Sequence, residues 1–273
     1  MTTAALPRPL RSWAEFARIG FVNILAFRLR YYTGVATYLI NVAVYFFIWR
    51  ALYRADPEFA AGFNFREMAT YVAVGWIIRS VYFNNIDQNM AQDIQNGSIV
   101  TALLKPARVQ TIYIGQALGE AAFRLLLLTA PTALAVSLLF PVQGPADALH
   151  FLAFLLSLAG SVLLTAGLNF IVGTFSIVMT TILGLLRAKF YVQELLSGLL
   201  VPMTMFPEPL RELLGWLPFQ HIAYTPLRIY LGKLQGQELV RSLAIEWLWV
   251  TVLMVGGAVF WNWMSRRLTV HGG

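Results

Sequence analysis

Charged side chains interrupt otherwise apolar runs of this chain, among them Arg79, Glu120, Arg124 and Glu246. A charge within a membrane-length apolar segment is costly, so each is a candidate for function. Glu120 and Arg124 stand four apart, share a helix face and can neutralise each other as a structural ion pair. Arg79 falls in the inner half of its run, where a long side chain can also snorkel to the interface. Glu246 reads as solvated or interfacial, near the outer end of the last run. A proton-coupled carrier would want a lone buried carboxylate near mid-membrane, and none stands out. Asn169, midway in another apolar run, suits hydrogen bonding between helices.

Catalytic chemistries lack their residues. Cysteine is absent, which excludes disulfides, thiolate metal ligands and a thiol nucleophile. His150, His221 and His271 fall in different segments, so no metal site is expected. No serine sits in a Gly-x-Ser-x-Gly elbow. Gly232-Lys233 is followed by Leu234, and Leu227 stands where a phosphate-binding loop needs its first glycine. The chain therefore does not use ATP through that motif.

The richest polar chemistry lies outside the apolar runs, in residues 83–110, FNNIDQNMAQDIQNGSIVTALLKPARVQ. Asn84, Asn85, Asp87, Gln88, Gln92 and Asp93 recur at helical spacing. The dipeptide Asn96-Gly97 suits a helix end, because both residues tolerate positive φ. A short apolar run over 99–104 follows, closed by Lys105-Pro106. This segment reads either as a solvated loop or as a docking element on which a soluble partner pushes.

The elements around it are set by composition. The chain is 58% hydrophobic and 12% charged, about half the charge of a soluble domain, and its mean hydropathy is +0.65. Apolar runs of roughly 20 residues recur, the length that crosses a bilayer core. A transmembrane barrel would show short alternating segments instead. An all-α polytopic membrane protein is expected, with six transmembrane helices over about 33–53, 67–83, 112–140, 149–175, 182–203 and 239–264. Residues 1–30 form a tail and an interface helix ahead of a single domain over 31–273. On that helix Glu15, Arg18, Asn23 and Arg30 share an arc, while Trp13, Phe16, Phe27 and Leu29 supply apolar surface. No compact apolar run marks a cleavable signal peptide there.

Between the fifth and sixth spans lies the most Pro-rich stretch. Pro207 and Pro209 open one short helix that Gly215 follows; Pro218 precedes a second, kinked at Pro226 and stopped at Gly232. Neither is long enough to cross, so both are expected to dip back into the outer leaflet. Lys and Arg fall preferentially on the side of the termini, at Arg8, Arg11, Lys105, Arg108, Arg187, Lys189, Arg266 and Arg267 among others. That bias places both termini and residues 83–110 in the cytoplasm.

Four segments carry a family resemblance: the end of the first span, FFIWRALY at 46–53; IQNGSIVTALLKP at 94–106; GLLVPMTMFP at 198–207; and LPFQHIAYTPLRIYLGK at 217–233, followed by a last span with Arg266 and Arg267 after it. With them the chain resembles the ABC type-2 export permeases, in particular the bacterial branch with one six-span permease domain and no ATPase. Asn96 departs from the charged or small residue that branch often carries. The resemblance implies a coupling helix docking in a groove on an ATPase, formed here by Ala91, Gln92, Asp93, Ile94, Gln95, Asn96 and Gly97, with Ile99, Leu103 and Leu104 after it. It implies a transmembrane subunit of an exporter in the bacterial inner membrane, two partner ATPase subunits that bind ATP and Mg, a second permease that is identical or related, and no cofactor or nucleic acid on this chain. The pathway would run between the permeases, with the short helices capping its outer end. The competing expectations are an ion-gradient-driven secondary carrier, which would want buried carboxylates and internal repeats, and a membrane enzyme or scaffold, which would want a catalytic cluster. The aromatic-rich spans suit amphipathic cargo and suit packing against lipid equally well, so no substrate is read from them.

Overall fold

The computed structural model describes residues 8–25, 29–56, 59, 62–179 and 181–268, with side chains from Ala14 to Val22 and from Thr33 onward. Every regular element among them is helical. The first helix, α1 (Arg8–Leu25), precedes α2 (Leu29–Ala55) and α3 (Phe65–Tyr82). Two short helices follow, α4 (Ile86–Gln95) and α5 (Ile99–Leu103). Next come α6 (Val109–Arg124), a π turn (Leu125–Thr129) and α7 (Ala130–Leu139), running on as one rod. Then α8 (Ala148–Thr174) and α9 (Leu183–Leu196) are succeeded by α10 (Glu208–Gly215), α11 (Tyr224–Tyr230) and α12 (Gly236–Met264).

Four segments are long and apolar enough to cross a bilayer: Thr33–Ala55, Val109–Leu139, Ala148–Ile177 and Gly236–Arg267. The protein is therefore a multi-pass membrane protein. The other two expected spans correspond to α3 and α9, which differ from these four for physical reasons. Helix α3 carries Arg66, Glu67 and Arg79, and most of its circumference is buried against α2, α6, α7, α8 and α11. A helix enclosed by other helices need not be apolar toward lipid. Helix α9 stops at Leu196, short of the expected 203. The chain turns at Gly198, where φ is +78°, and the carbonyls freed there are met by the N–H of Tyr224 on Ser197 (3.0 Å) and by the Tyr71 hydroxyl on Gly198. At 14 residues, or about 21 Å, α9 falls short of the roughly 30 Å hydrocarbon core.

The π turn has a local cause. Pro131 has no N–H to donate and its ring would crowd the turn before it. One wide turn ahead of the proline, with the Ala130 N–H reaching Leu125 O, absorbs the misfit without breaking the rod.

Helix α1 lies across α6, Phe16 buried beneath it and Phe21 edge-on to Phe123 at 5.1 Å. The crossing depends on glycine. A Cβ on Gly119 would fall 1.8 Å from the Ala17 carbonyl oxygen, and one on Gly20 would fall 2.2 Å from that of Gln116. The side chains of Trp13, Asn23, Phe27, Leu29 and Arg30, which also enter the amphipathic reading of this helix, lie outside the described ones.

Glu246 is not interfacial: it is fully buried where α12 packs on α8. Ser157 Oγ donates to its Oε2 at 2.7 Å. The carboxyl sits over Gly160, where any Cβ would come within 2.4 Å of Oε1. Ser157 and Gly160 of α8 make room there for a carboxylate that its position near the outer end of the span assigns to solvent.

The Pro-rich stretch divides in two. The segment from His221 to Leu227 is buried against α3 and α8, which protects backbone outside long helices from lipid. By contrast α10 buries Leu214 alone, leaving Leu213 and Trp216 exposed.

Candidate functional site

The polar segment 83–110 folds into α4 and α5 joined by a tight turn. Gly97 takes φ +78°, which ends α4 after Asn96. The Asn96 side chain accepts from the Ser98 N–H at 3.0 Å and the Gly97 N–H returns to Ile94 O, so local bonds define the turn.

Asp93 faces inward. Its Oδ2 accepts from the Tyr113 hydroxyl at 2.5 Å and its Oδ1 from Ser98 Oγ at 2.7 Å, tying α4 to both α6 and the turn. Ala91 and Ile99 are buried, and Ile94 is half-buried. The outward surface is made by Gln92, Gln95, Asn96, Gly97, Leu103 and Leu104, with Leu104 80% exposed. Exposed leucines beside uncharged polar side chains form a face suited to burial against protein.

Behind α4 lies a network that sequence reasoning missed. Lys189 Nζ of α9 stands 2.7 Å from Asp87 Oδ2 of α4 and donates to Asn169 Oδ1 of α8 at 2.6 Å. Asn169 Nδ2 in turn donates to the backbone and side-chain oxygens of Asn84, both at 2.9 Å. Both Asp87 and Asn169 are buried. The approach of α4 to α8 requires Gly173, where a Cβ would meet Asp87 Cα and Met90 at 3.0 Å.

A second ion pair fixes the C-terminal end of α9. Arg79 Nη2 lies 2.8 Å from Glu194 Oε1, and its guanidinium is flanked by the rings of Trp76, Phe83 and Phe190 at 5.2–5.9 Å. It is paired inside the protein rather than snorkelling. Glu120 and Arg124 form the expected i,i+4 pair at 3.2 Å. Arg124 also donates to the Phe83 carbonyl at the end of α3 and stacks on the Phe83 ring. Arg79 and Arg124 thus grip Phe83, the residue from which the segment departs. The partners missed, Lys189 and Glu194, had a signal in the sequence: two opposite charges five residues apart in a short apolar helix.

At the opposite end of the bundle, Pro207 caps α10 and Pro209 lies in its first turn; Gly215 is its last residue. Pro218 opens a 3-10 turn and Pro226, buried, lies in the first turn of α11 rather than kinking a longer helix. Gly232 ends α11 with φ +69°. Beyond it Lys233 pairs with Glu67 at 2.6 Å, and the Leu234 carbonyl meets the His150 ring at 3.0 Å. Asp147 caps α8 by accepting from the His150 N–H and contacting its ring; these hydrogen bonds hold its carboxyl below the usual range. Burial pushes the His221 imidazole down to about 4.

Among the described residues no cluster of His, Asp and Glu could hold a metal ion. What the geometry offers is mechanical: a helix tied to α9 through Lys189, to α6 through Tyr113 and to its own turn through Ser98, at the end of the bundle opposite the short helices. The sequence profile of the family described as ABC-2 family transporter protein matches residues 39–272. No curated protein matches the chain.

Proposed function

We propose, from this chain's membership of the ABC-2 transporter family, that it is the permease subunit of an ATP-driven exporter of the bacterial inner membrane. A separate soluble subunit binds ATP and Mg and hydrolyses the ATP, two such subunits acting on two permeases, the second a copy of this chain or a relative. The chain forms one domain after its N-terminal interface helix. It crosses the membrane six times, α3 and α9 being the second and fifth crossings, with both termini cytoplasmic. The shortness of α9 fits a crossing completed by the non-helical segment after Gly198.

In this reading α4 and α5 are the element on which the ATPase pushes. The observation that carries it is the Lys189–Asp87 pair with its Asn169 relay. A solvated loop would need no buried ion pair on its inner side, whereas an element that transmits force must move its neighbours with it. Displacing α4 would act on α9 through Lys189, on α6 through Tyr113 and on α3 through the Phe83 junction. The buried α11 segment and the exposed α10 would close the outer mouth of a pathway between the two permeases.

Mild-detergent purification of the chain from its own membranes, with mass spectrometry and an ATPase assay, tests this. A soluble ATPase is expected to co-purify. Leu104→Asp or Gln92→Arg, on the outward surface, should release it while leaving the melting temperature of the permease unchanged. Recovery of the chain alone at every detergent strength would overturn the reading.

A further inference from the structure

Helices α6 and α12 both pack on α8, and they meet each other where the Gln110 amide donates to the Met254 carbonyl at 2.9 Å. Between the first half of α6 and the last third of α12 the surface falls into a groove of ≈ 1180 Å³. Its body is apolar: Ile114 and Leu118 on one side, Val255 and Val259 on the other, Leu163 of α8 beneath. Its far end is polar, lined by Arg108, Thr111, Asn262 and Ser265. No acidic residue lines it.

Depth, access and charge argue for one occupant. From Val109 to Leu118 the groove follows α6 for about 14 Å, roughly half of the hydrocarbon core. It therefore runs from the headgroup boundary to near the midplane, the depth of one acyl chain. Val255 and Val259 are 58% and 62% exposed, so the groove opens sideways to lipid. Arg108 lines its polar end and is exposed; Arg266 and Arg267, also exposed, directly follow the lining residue Ser265, with Arg267 stacked 4.6 Å above the Trp263 ring. Among the described residues none of the three is paired with a carboxylate. Arg108 also immediately precedes α6, whose N-cap makes no side-chain bond, leaving the first-turn N–H groups of a 16-residue helix without helical acceptors. Arg108, two further arginines just beyond Ser265 and a row of unmet donors above an apolar slot complement an anionic phosphate that carries a hydrocarbon tail.

We propose that this groove is a binding site for an anionic phospholipid of the leaflet at the α4 end of the bundle, its phosphate at Arg108 and the Arg266–Arg267 pair and one acyl chain along Leu118, Val255 and Val259. The inference rests on the placement of α6 and α12 in a membrane and is independent of the identity of any ATPase. Lipid seated there bridges the helix that receives Asp93 through Tyr113 to the last helix of the chain, so its headgroup charge would tune how firmly α6 is held.

The test is native mass spectrometry of the full-length chain released from nanodiscs of phosphatidylglycerol and phosphatidylcholine mixed in equal amounts. Phosphatidylglycerol should be retained in preference by on the order of tenfold, because both lipids offer a phosphate but only phosphatidylcholine brings a quaternary ammonium up against the arginines. Arg108→Gln combined with Arg266→Gln should remove the preference. Ala258→Trp, which fills the groove, should lower retention of both lipids. The Arg variants change exposed side chains only and report even if Ala258→Trp fails to fold. Equal retention of the two lipids by the unaltered chain, or a preference untouched by the Arg variants, overturns the proposal. Neither result bears on co-purification of an ATPase, so the two readings fail separately.

Discussion

Lys189 and Asp87 meet at 2.7 Å between α9 and α4, with side chains 17% and 5% exposed. They join the largely exposed α9 to α4, in the polar segment 83–110. Their partner Asn169 extends the contact to α8.

Removing one member strands the other. Lys189→Met should destabilise the protein by about 3 kcal/mol, in the range for breaking a buried pair, and should lower ATPase stimulation in the assembled transporter. The double variant Lys189→Met with Asp87→Leu should recover part of the stability but none of the coupling. A thermal melt and a double-mutant cycle separate the two; equal recovery of both would show the pair to be structural only.

Asp93 and Leu104 should behave oppositely. Asp93→Ala frees Tyr113 and Ser98, loosening α4 at a cost of about 1–3 kcal/mol, and should speed hydrogen exchange across 91–104. Leu104→Asp, at a surface position, should leave exchange unchanged and weaken only partner binding. If Asp93→Ala leaves exchange over 91–104 slow, its inward bonds do not order the element.

Gly119→Leu cannot be accommodated at the α1–α6 crossing, because even its Cβ would overlap the Ala17 carbonyl. The expected result is detachment of α1, read as faster proteolysis within 8–25, while the bundle from α2 onward keeps its melt. Uncleaved α1 in this variant would place the crossing elsewhere.

The cap should weaken on acidification. His221 titrates at about 4 when folded, below its ordinary value of 6.5. The unfolded chain therefore binds the proton first. The stability its neutral form confers is complete above about pH 6.5 and is lost as the pH falls toward 4, reaching about 3 kcal/mol below that. His221→Gln should flatten this dependence in melts between pH 4 and 7, and a slope that survives the substitution would assign it to other groups.

How much could be read in advance follows the range of each interaction. The end of α4 at Asn96-Gly97 and the Glu120–Arg124 pair were legible because a turn at positive φ and an i,i+4 contact are properties of adjacent residues. The Arg79–Glu194 pair was not: its members are 115 positions apart, and an isolated arginine in an apolar run looks the same whether it snorkels or is paired. Glu246 was misplaced for the same reason. Its burial depends on Ser157 and Gly160 of another helix, and nothing in its own segment signals them.

The sequence by itself determined that this is a helical membrane protein, because hydrophobic length is a local property of the chain. It also marked the surface element at 86–104, through polar periodicity and a glycine stop. Only the tertiary structure decided which faces of that element point outward, that α9 is short and held at its middle and its C-terminal end by ion pairs, and where a carboxylate lies enclosed. Those are outcomes of helix against helix, set by small residues such as Gly119, Gly160 and Gly173 that allow close approach and by charges that find partners only once the bundle has closed.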